Sequence, residues 1–411
     1  MRRRSLLGLG GAAVPATLLG RWRPGGRRAP RWIHSWTAMP QLTEPGNMPP
    51  APFTGDGVVL ADTTLRQTVH LTVGGPQLRV RFSNAFGGAP LPITAAVVAS
   101  PAGGRAGVAT TVPGSARPLT FGGRPGTVVP PGALVVSDPV AFPVAPGTNL
   151  SVSLYSAAGQ ASLNLTSHPG SRATSYLVAG DRAGAPELPG SAAVDHWYLI
   201  SGVEVLSGAS GLAIVGDSLS DGRGSTTNGN DRWPDQLFAR HPTIAVLNQA
   251  AGGNRVLNDG LGPSVLARLD RDVLATSGVD RLLIFEGVND IGTAPATPAD
   301  QSRVVDDLLA AFRQVALRAR ALDIRAYAAT LTPFGGNTGY DDPGGLREQS
   351  RRTVNAALRH IFDGVAGFDA AVRDPAAPRN LNPAYDTGDH LHLNPAGYAA
   401  LAAAVPERWL T

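Results

Sequence analysis

The sequence predicts two domains of different class. An all-β sandwich, jelly-roll-like, spans 32–206, and an α/β unit built on a doubly wound parallel sheet spans 207–411. Three observations predict this. Short alternating runs broken by Gly/Pro clusters fill the first region. Strand-like apolar runs alternating with helical stretches fill the second. The spacer Ser207-Gly208-Ala209-Ser210-Gly211 separates the two patterns.

Ahead of both lies a basic leader, 1–31. Arg2-Arg3-Arg4 precedes Ser5-Leu6-Leu7-Gly8 and a moderately apolar stretch to Leu19. A basic segment followed by an apolar one is the layout of a signal peptide. The arginine run before x-Leu-Leu resembles a twin-arginine signal, so the chain is expected to be secreted. Eight arginines and no acidic residue precede Trp32. They outweigh the net charge of +4, so the remainder is net acidic. A nucleic-acid role would need a basic patch in the folded part, and none is evident. No stretch of 18 apolar residues suggests a membrane span. The chain has no Cys and no Lys. Disulfides, thiolate catalysis, Cys-ligated metals and Schiff-base lysines are thereby excluded.

In the β region, Leu65 to Val73 and Gln77 to Phe82 read as strands, with Gly74-Gly75-Pro76 between them a hairpin signal. Further strands are expected at Pro92 to Ala99, Gly132 to Val136, Asn149 to Leu154, Thr174 to Val178 and Trp197 to Val205. In the α/β region the expected strands are Leu212–Gly216, Ile244–Asn248, Arg281–Glu286, Arg325–Thr330 and Val365–Phe368. The clearest helix is Pro298 to Leu322. Thr297 can cap it, Pro298 suits its first turn, and Val304, Val305, Leu308, Leu309, Phe312 and Val315 form one apolar stripe.

Polar clusters fall at the carboxyl ends of the first three of these strands: Gly216-Asp217-Ser218, Asn248 to Asn254, and Glu286 to Asp290. A fourth, Asp389 to Pro395, precedes the last helix. Loops at that edge of a doubly wound sheet converge on one crevice. A serine there needs a base, an orienting group and oxyanion donors before it can act as a nucleophile. The four clusters hold a carboxylate, a histidine, glycine amides and a side-chain amide.

These blocks resemble the SGNH (GDSL-type) hydrolases, with GDSLSDG, NQAAGGN, GVND and Asp389-x-x-His392 in family order. HSWTAMPQ, RQTVHLTVGG and EGVNDIG are similar to secreted actinobacterial members with an N-terminal β domain. The C-terminal part resembles the xylanase-associated arylesterase-like branch. The resemblance implies a flavodoxin-like fold and a serine esterase without metal or cofactor. It implies Ser218 as nucleophile, His392 as base and Asp389 as its partner. The oxyanion hole would comprise the Ser218 and Gly253 amides and Asn289, with Asp217 behind them.

Each position has a plainer reading. Ser218 could be a helix N-cap, Gly253 a turn glycine beside the competing Gly252, and Asn289 a cap. Asp290 reads as structural, and His390 is the decoy for His392. Trp233-Pro234 reads as the opening of a helix. His34, His70, His168, His196, His241 and His360 read as packing or surface residues, although His168 and Arg172 lie in a β-domain loop that could reach the crevice. The expected substrate is an acylated carbohydrate, with a small acyl or aryl ester as the alternative. A carbohydrate- or wall-binding protein with an accessory hydrolase is the reading from another class. Natural substrate, acyl length and oligomeric state stay open at the level of sequence.

Overall fold

The computed structural model describes residues 29–411. The expected leader lies outside the described residues except at its end. There the boundary shifts by one residue: Arg31 already pairs with Ser207 in the first strand, Arg31–Thr37.

The two largest sheets of the N-terminal region are antiparallel and share one apolar core. The first has the order Arg31–Thr37, Ile200–Ser207, Gly75–Ser83, Leu134–Val136, with Val140–Val144 also paired to Gly75–Ser83. The second centres on Thr63–His70, flanked by Asn149–Ser156 and Ser175–Ala179. Leu78, Val80 and Phe82 of the first sheet and Leu65, Val69 and Val152 of the second are buried in the same cluster. This is the alternation expected of strands with one covered face.

The expected hairpin at Gly74-Gly75-Pro76 is not formed. Thr63–His70 and Gly75–Ser83 belong to different sheets, and the chain between them crosses from one layer to the other. The glycines serve close approach instead. A Cβ on Gly74 would meet the Val144 carbonyl at 2.4 Å, and one on Gly75 the Leu206 carbonyl at 2.6 Å. The strand expected over Trp197 to Val205 is also divided. Leu199 takes φ +64°, so Trp197–Tyr198 pairs with Thr166–His168 while Ile200–Ser207 joins the first sheet. Gln67 fixes the division by bonding both the N–H and the carbonyl of Tyr198.

The C-terminal region is a five-stranded parallel sheet in the order Ala245–Asn248, Gly211–Gly216, Val279–Phe285, Arg325–Ala329, Gly364–Ala366. Numbered along the chain this is 2-1-3-4-5, the flavodoxin-like order. The long helix is Pro298–Arg320. Thr297 Oγ1 accepts the Asp300 N–H at 3.1 Å, and Val304, Leu308, Phe312 and Val315 are buried against the sheet.

The two regions are joined along the edge strand Ala245–Asn248. Thr72 Oγ1 accepts the Val246 N–H at 3.2 Å, and Thr37 Oγ1 donates to the Asn248 carbonyl at 3.2 Å. Ala245 and Leu247 pack into the β-domain core. A buried polar knot lies nearby. His34 Nδ1 is 2.8 Å from Ser277 Oγ, and Ser277 Oγ donates to Glu204. Arg79 and Arg81 also bond Glu204. Burial pushes the His34 ring down to about 4, against the opposing pull of Glu204.

Candidate active site

The strand Gly211–Gly216 is buried throughout and delivers Asp217 and Ser218 to the carboxyl edge of the sheet. Asp217, not Ser218, caps the short helix Ser218–Asp221: its carboxylate accepts the Leu219 N–H at 2.9 Å. The capping duty that competed for Ser218 is therefore taken by its neighbour. Ser218 Oγ is 2.8 Å from His392 Nε2, and His392 Nδ1 is 2.6 Å from Asp389 Oδ2. Nδ1 faces a carboxylate and so carries the ring proton, which leaves Nε2 as the acceptor for the serine hydroxyl.

Asp389 is well anchored. Its Oδ1 accepts the Leu391 and His392 N–H groups and the Thr387 hydroxyl. Burial opposes its ionisation, but the His392 N–H and ring and the Leu391 N–H overcome burial and hold the carboxyl well below the usual range. Burial lowers the His392 ring below its ordinary value. Asp389 opposes that, and Arg223 and Arg172 add to it. His390 has φ +61°, faces away and bonds Asp386 at 2.7 Å.

Gly253 and Asn289 come from the next two loops and line the same cleft as Ser218 and His392, a space of about 450 Å3. Gly253 has φ +70°, and a Cβ there would meet Leu261 at 2.5 Å. Among the described residues no protein acceptor takes the Gly253 or Ser218 N–H. Asn289 is held at both ends: its Nδ2 donates to the Asn254 carbonyl at 2.7 Å, and its Oδ1 accepts from the Tyr340 hydroxyl at 2.5 Å. Because the Asn254 carbonyl can only accept, the amide orientation is fixed, and the second Nδ2 proton remains for the cleft.

Beneath the site lies a group of buried acids. Burial pushes Asp217 up to about 7, and the charges of Asp290 and Asp221 add to that. Burial raises Glu286 far above the carboxylate range, against the pull of Arg268 3.6 Å away. Asp290 accepts the Val256 and Leu257 N–H groups and so ties down the second loop.

The sequence marks neither Asp221 nor Tyr340, and it offers His168 as a packing residue in a loop that could reach the crevice. Asp221 lies inside GDSLSDG. Its Oδ2 accepts the Gly252 N–H at 3.0 Å, which gives the competing glycine its own task. His168 does not line the cleft but stands behind it, buried and bonded to Asp221. Tyr340 belongs to no recognised block. Arg172 does reach the cleft, and Gln41, Glu44, Asn47 and His196 line it from the same β-domain side. The helix expected at Trp233-Pro234 spans Trp233–Arg240, with Trp233 Nε1 bonded to Ser220 Oγ rather than open to a ligand.

Residues 214–400 match the sequence model of the GDSL-like lipase/acylhydrolase family. No curated protein matches. Among solved structures, the chain is similar to a GDSL-like lipase from Bacteroides thetaiotaomicron VPI-5482, with 16% identity over 49% of this chain and 87% of that one and a TM-score of 0.36. It is also similar to a catalytic mutant of an acetylxylan esterase from Geobacillus stearothermophilus, with 22% identity over 49% of this chain and 95% of that one and a TM-score of 0.37.

Proposed function

We propose that this chain, a carboxylic ester hydrolase by virtue of the GDSL-like lipase/acylhydrolase domain it carries, acts through Ser218, His392 and Asp389 on short-chain esters of carbohydrate. The observation that carries the reading is the continuous line from Ser218 Oγ through His392 to Asp389, at 2.8 and 2.6 Å.

The chemistry is acyl transfer in two steps. Ser218 Oγ attacks the ester carbonyl as its proton passes to His392 Nε2. Asp389 orients the ring and stabilises the imidazolium. The carbonyl oxygen, now an oxyanion, is held by the Ser218 and Gly253 N–H groups and by Asn289 Nδ2. A donor of that kind lowers the barrier by roughly 3–4 kcal/mol. His392 returns its proton to the departing alcohol. Water, deprotonated by the same ring, then releases the acid and frees Ser218.

The polar lining of the cleft supports a carbohydrate over a lipid. Gln41, Glu44, Asn47 and His196 suit hydroxyl groups. Leu261 and Leu391 border the same space and favour a small acyl or aryl ester as the second reading. The basic leader supports secretion by a twin-arginine route. Phenyl acetate and acetylated xylan, assayed for acetate release with wild-type protein and Ser218→Ala, test the reading. Loss of at least about a thousandfold in the variant is expected. Hydrolysis by Ser218→Ala at the wild-type rate would refute it.

A further inference from the structure

The charged groups lining the cleft are unequally satisfied. Glu44 accepts the side-chain amides of Gln41 and Asn47, and Asp221 is bonded by His168 and by the Gly252 N–H. The cations have no such partners. Among the described residues, the Arg172 and Arg223 side chains make no hydrogen bond and no ion pair, and Arg172 Nε is buried without an acceptor. Elsewhere, all three guanidinium nitrogens of Arg66 and of Arg351 are engaged by carbonyls, hydroxyls or carboxylates. Arg223 is exposed, but Arg172 Nε, buried beside the reacting groups, is costly to leave unsatisfied unless an acceptor arrives with the ligand.

Arg172 is also held in an unusual backbone state. Its φ is +50°, its carbonyl accepts the Asn228 N–H at 2.9 Å, and Asn228 Oδ1 accepts the Thr174 N–H. Left-handed backbone at a non-glycine residue persists only where its surroundings impose it, and such residues gather at ligand sites.

The position of the pair indicates which half of an ester it meets. Arg172 and Arg223 line the cleft together with His392, a Cβ on Gly224 would meet the carbonyl of Leu393, the residue after His392, at 2.5 Å, and both positive charges act on the His392 ring. That ring hands its proton to the leaving alcohol, so the alcohol must lie against it. Cleft-lining groups on the His392 side therefore flank the alcohol, whereas the acyl oxygen points to Gly253 and Asn289.

We infer that Arg172 and Arg223 form an anion-binding subsite on the alcohol side of the cleft, so that the preferred substrate is an ester of a sugar carrying a carboxylate or a phosphate. This rests on the roles proposed above for Ser218, His392 and Asp389. The planar fork of a guanidinium suits either anion.

The test uses three O-acetylated methyl glycosides of one ring: a hexuronate, its carboxamide, and a hexose 6-phosphate. Acetate release by the full-length protein gives kcat/KM for each. At least one anion is expected to exceed the carboxamide by about tenfold, one charge-assisted contact's worth, and the stronger of the two names the source of the negative charge. In Arg172→Gln/Arg223→Gln that ratio should fall to about one, and Arg→Lys at both positions should restore part of it. Raising the salt concentration should shrink the wild-type ratio, a measurement that needs no variant. Equal rates on all three compounds, or a ratio unchanged in the double Gln variant, overturns the inference. Phenyl acetate separates the two levels of argument. If it is hydrolysed while the sugar acetates show no charge preference, only the anion subsite fails. If neither phenyl acetate nor any sugar acetate is hydrolysed, the esterase reading fails, and the subsite with it.

Discussion

His168 Nε2 lies 2.9 Å from Asp221 Oδ1, across the boundary between the β sandwich and the parallel sheet. Its Nδ1 meets the Met39 carbonyl at 3.0 Å, so both ring nitrogens are engaged. The other oxygen of the same carboxylate holds the Gly252 N–H, one residue before the proposed oxyanion glycine. Gly170 makes room for this: a Cβ there would stand 1.7 Å from Asp221 Oδ2. A side chain of the β domain thus fixes the loop that presents Gly253.

Removing that side chain should be felt in both stability and rate. Both partners are buried, so His168→Ala leaves Asp221 without its partner and should cost about 3 kcal/mol of unfolding free energy. In the folded fraction, kcat should fall about tenfold with KM little changed, because the loss is in alignment of the oxyanion donor. Urea unfolding and steady-state kinetics on one preparation check this. An unaltered kcat would separate His168 from the reaction.

The acid limb of kcat/KM should lie below the ordinary histidine value of 6.5. His392 must be neutral to take the Ser218 proton, and burial lowers its protonation range, with Arg223 and Arg172 reinforcing the effect. Activity is therefore full above that limb and is lost as pH falls through it. Asp389 stays ionised throughout, since its own carboxyl is held far lower. A profile with its midpoint at or above 7 would contradict the arrangement.

Tyr340 should matter through Asn289. Its hydroxyl at 2.5 Å from Oδ1 pins the amide whose Nδ2 faces the cleft. Tyr340→Phe keeps the ring against Gly292 and removes only that bond. A net bond of this kind is worth about 1 kcal/mol, so kcat should fall roughly fivefold while KM stays near its wild-type value. An equal rise in KM with kcat intact would assign Tyr340 to substrate binding instead.

Asp217 should make the protein less stable as pH rises. Its carboxyl is raised from 3.8 to about 7 in the folded chain, chiefly by burial, so between those values the native state holds a proton the unfolded chain has released. Unfolding free energy then declines across that window by on the order of 1.4 kcal/mol per pH unit from this group. Asp217→Asn keeps an acceptor for the Leu219 N–H and should flatten the slope. Denaturation midpoints of the two proteins at pH 5 and pH 7.5 give the comparison. Parallel slopes would mean that Asp217 is ionised in the native state.

The catalytic half was legible because its information is local. Each of Ser218, Gly253 and Asn289 follows a short apolar run that reads as a buried strand, and Asp389 and His392 sit three apart in one loop. Most of the longer strands of the β half were legible for the same reason, but Arg31–Thr37, Val140–Val144 and Thr166–His168 were not. Alternation identifies a strand but not its partner, however, and Gly74-Gly75-Pro76 gives the same signal whether the chain turns back or passes between layers. Asp221 and Tyr340 escaped because their partners lie 31 and 51 residues away, and the pairing of His168 with Asp221 is made only once the two domains are packed together.

The two hydroxyls on the edge strand have a consequence for how such a protein can change over time. Thr37 and Thr72 occupy hydrogen-bonding positions on Ala245–Asn248 that another strand would otherwise fill. The boundary at 207–211 looks in the sequence like a place where modules could be exchanged. A replacement module would have to bring a donor and an acceptor to the same two backbone groups, together with a histidine for Asp221. Changes in either half are therefore constrained by the other at Thr37, Thr72 and His168.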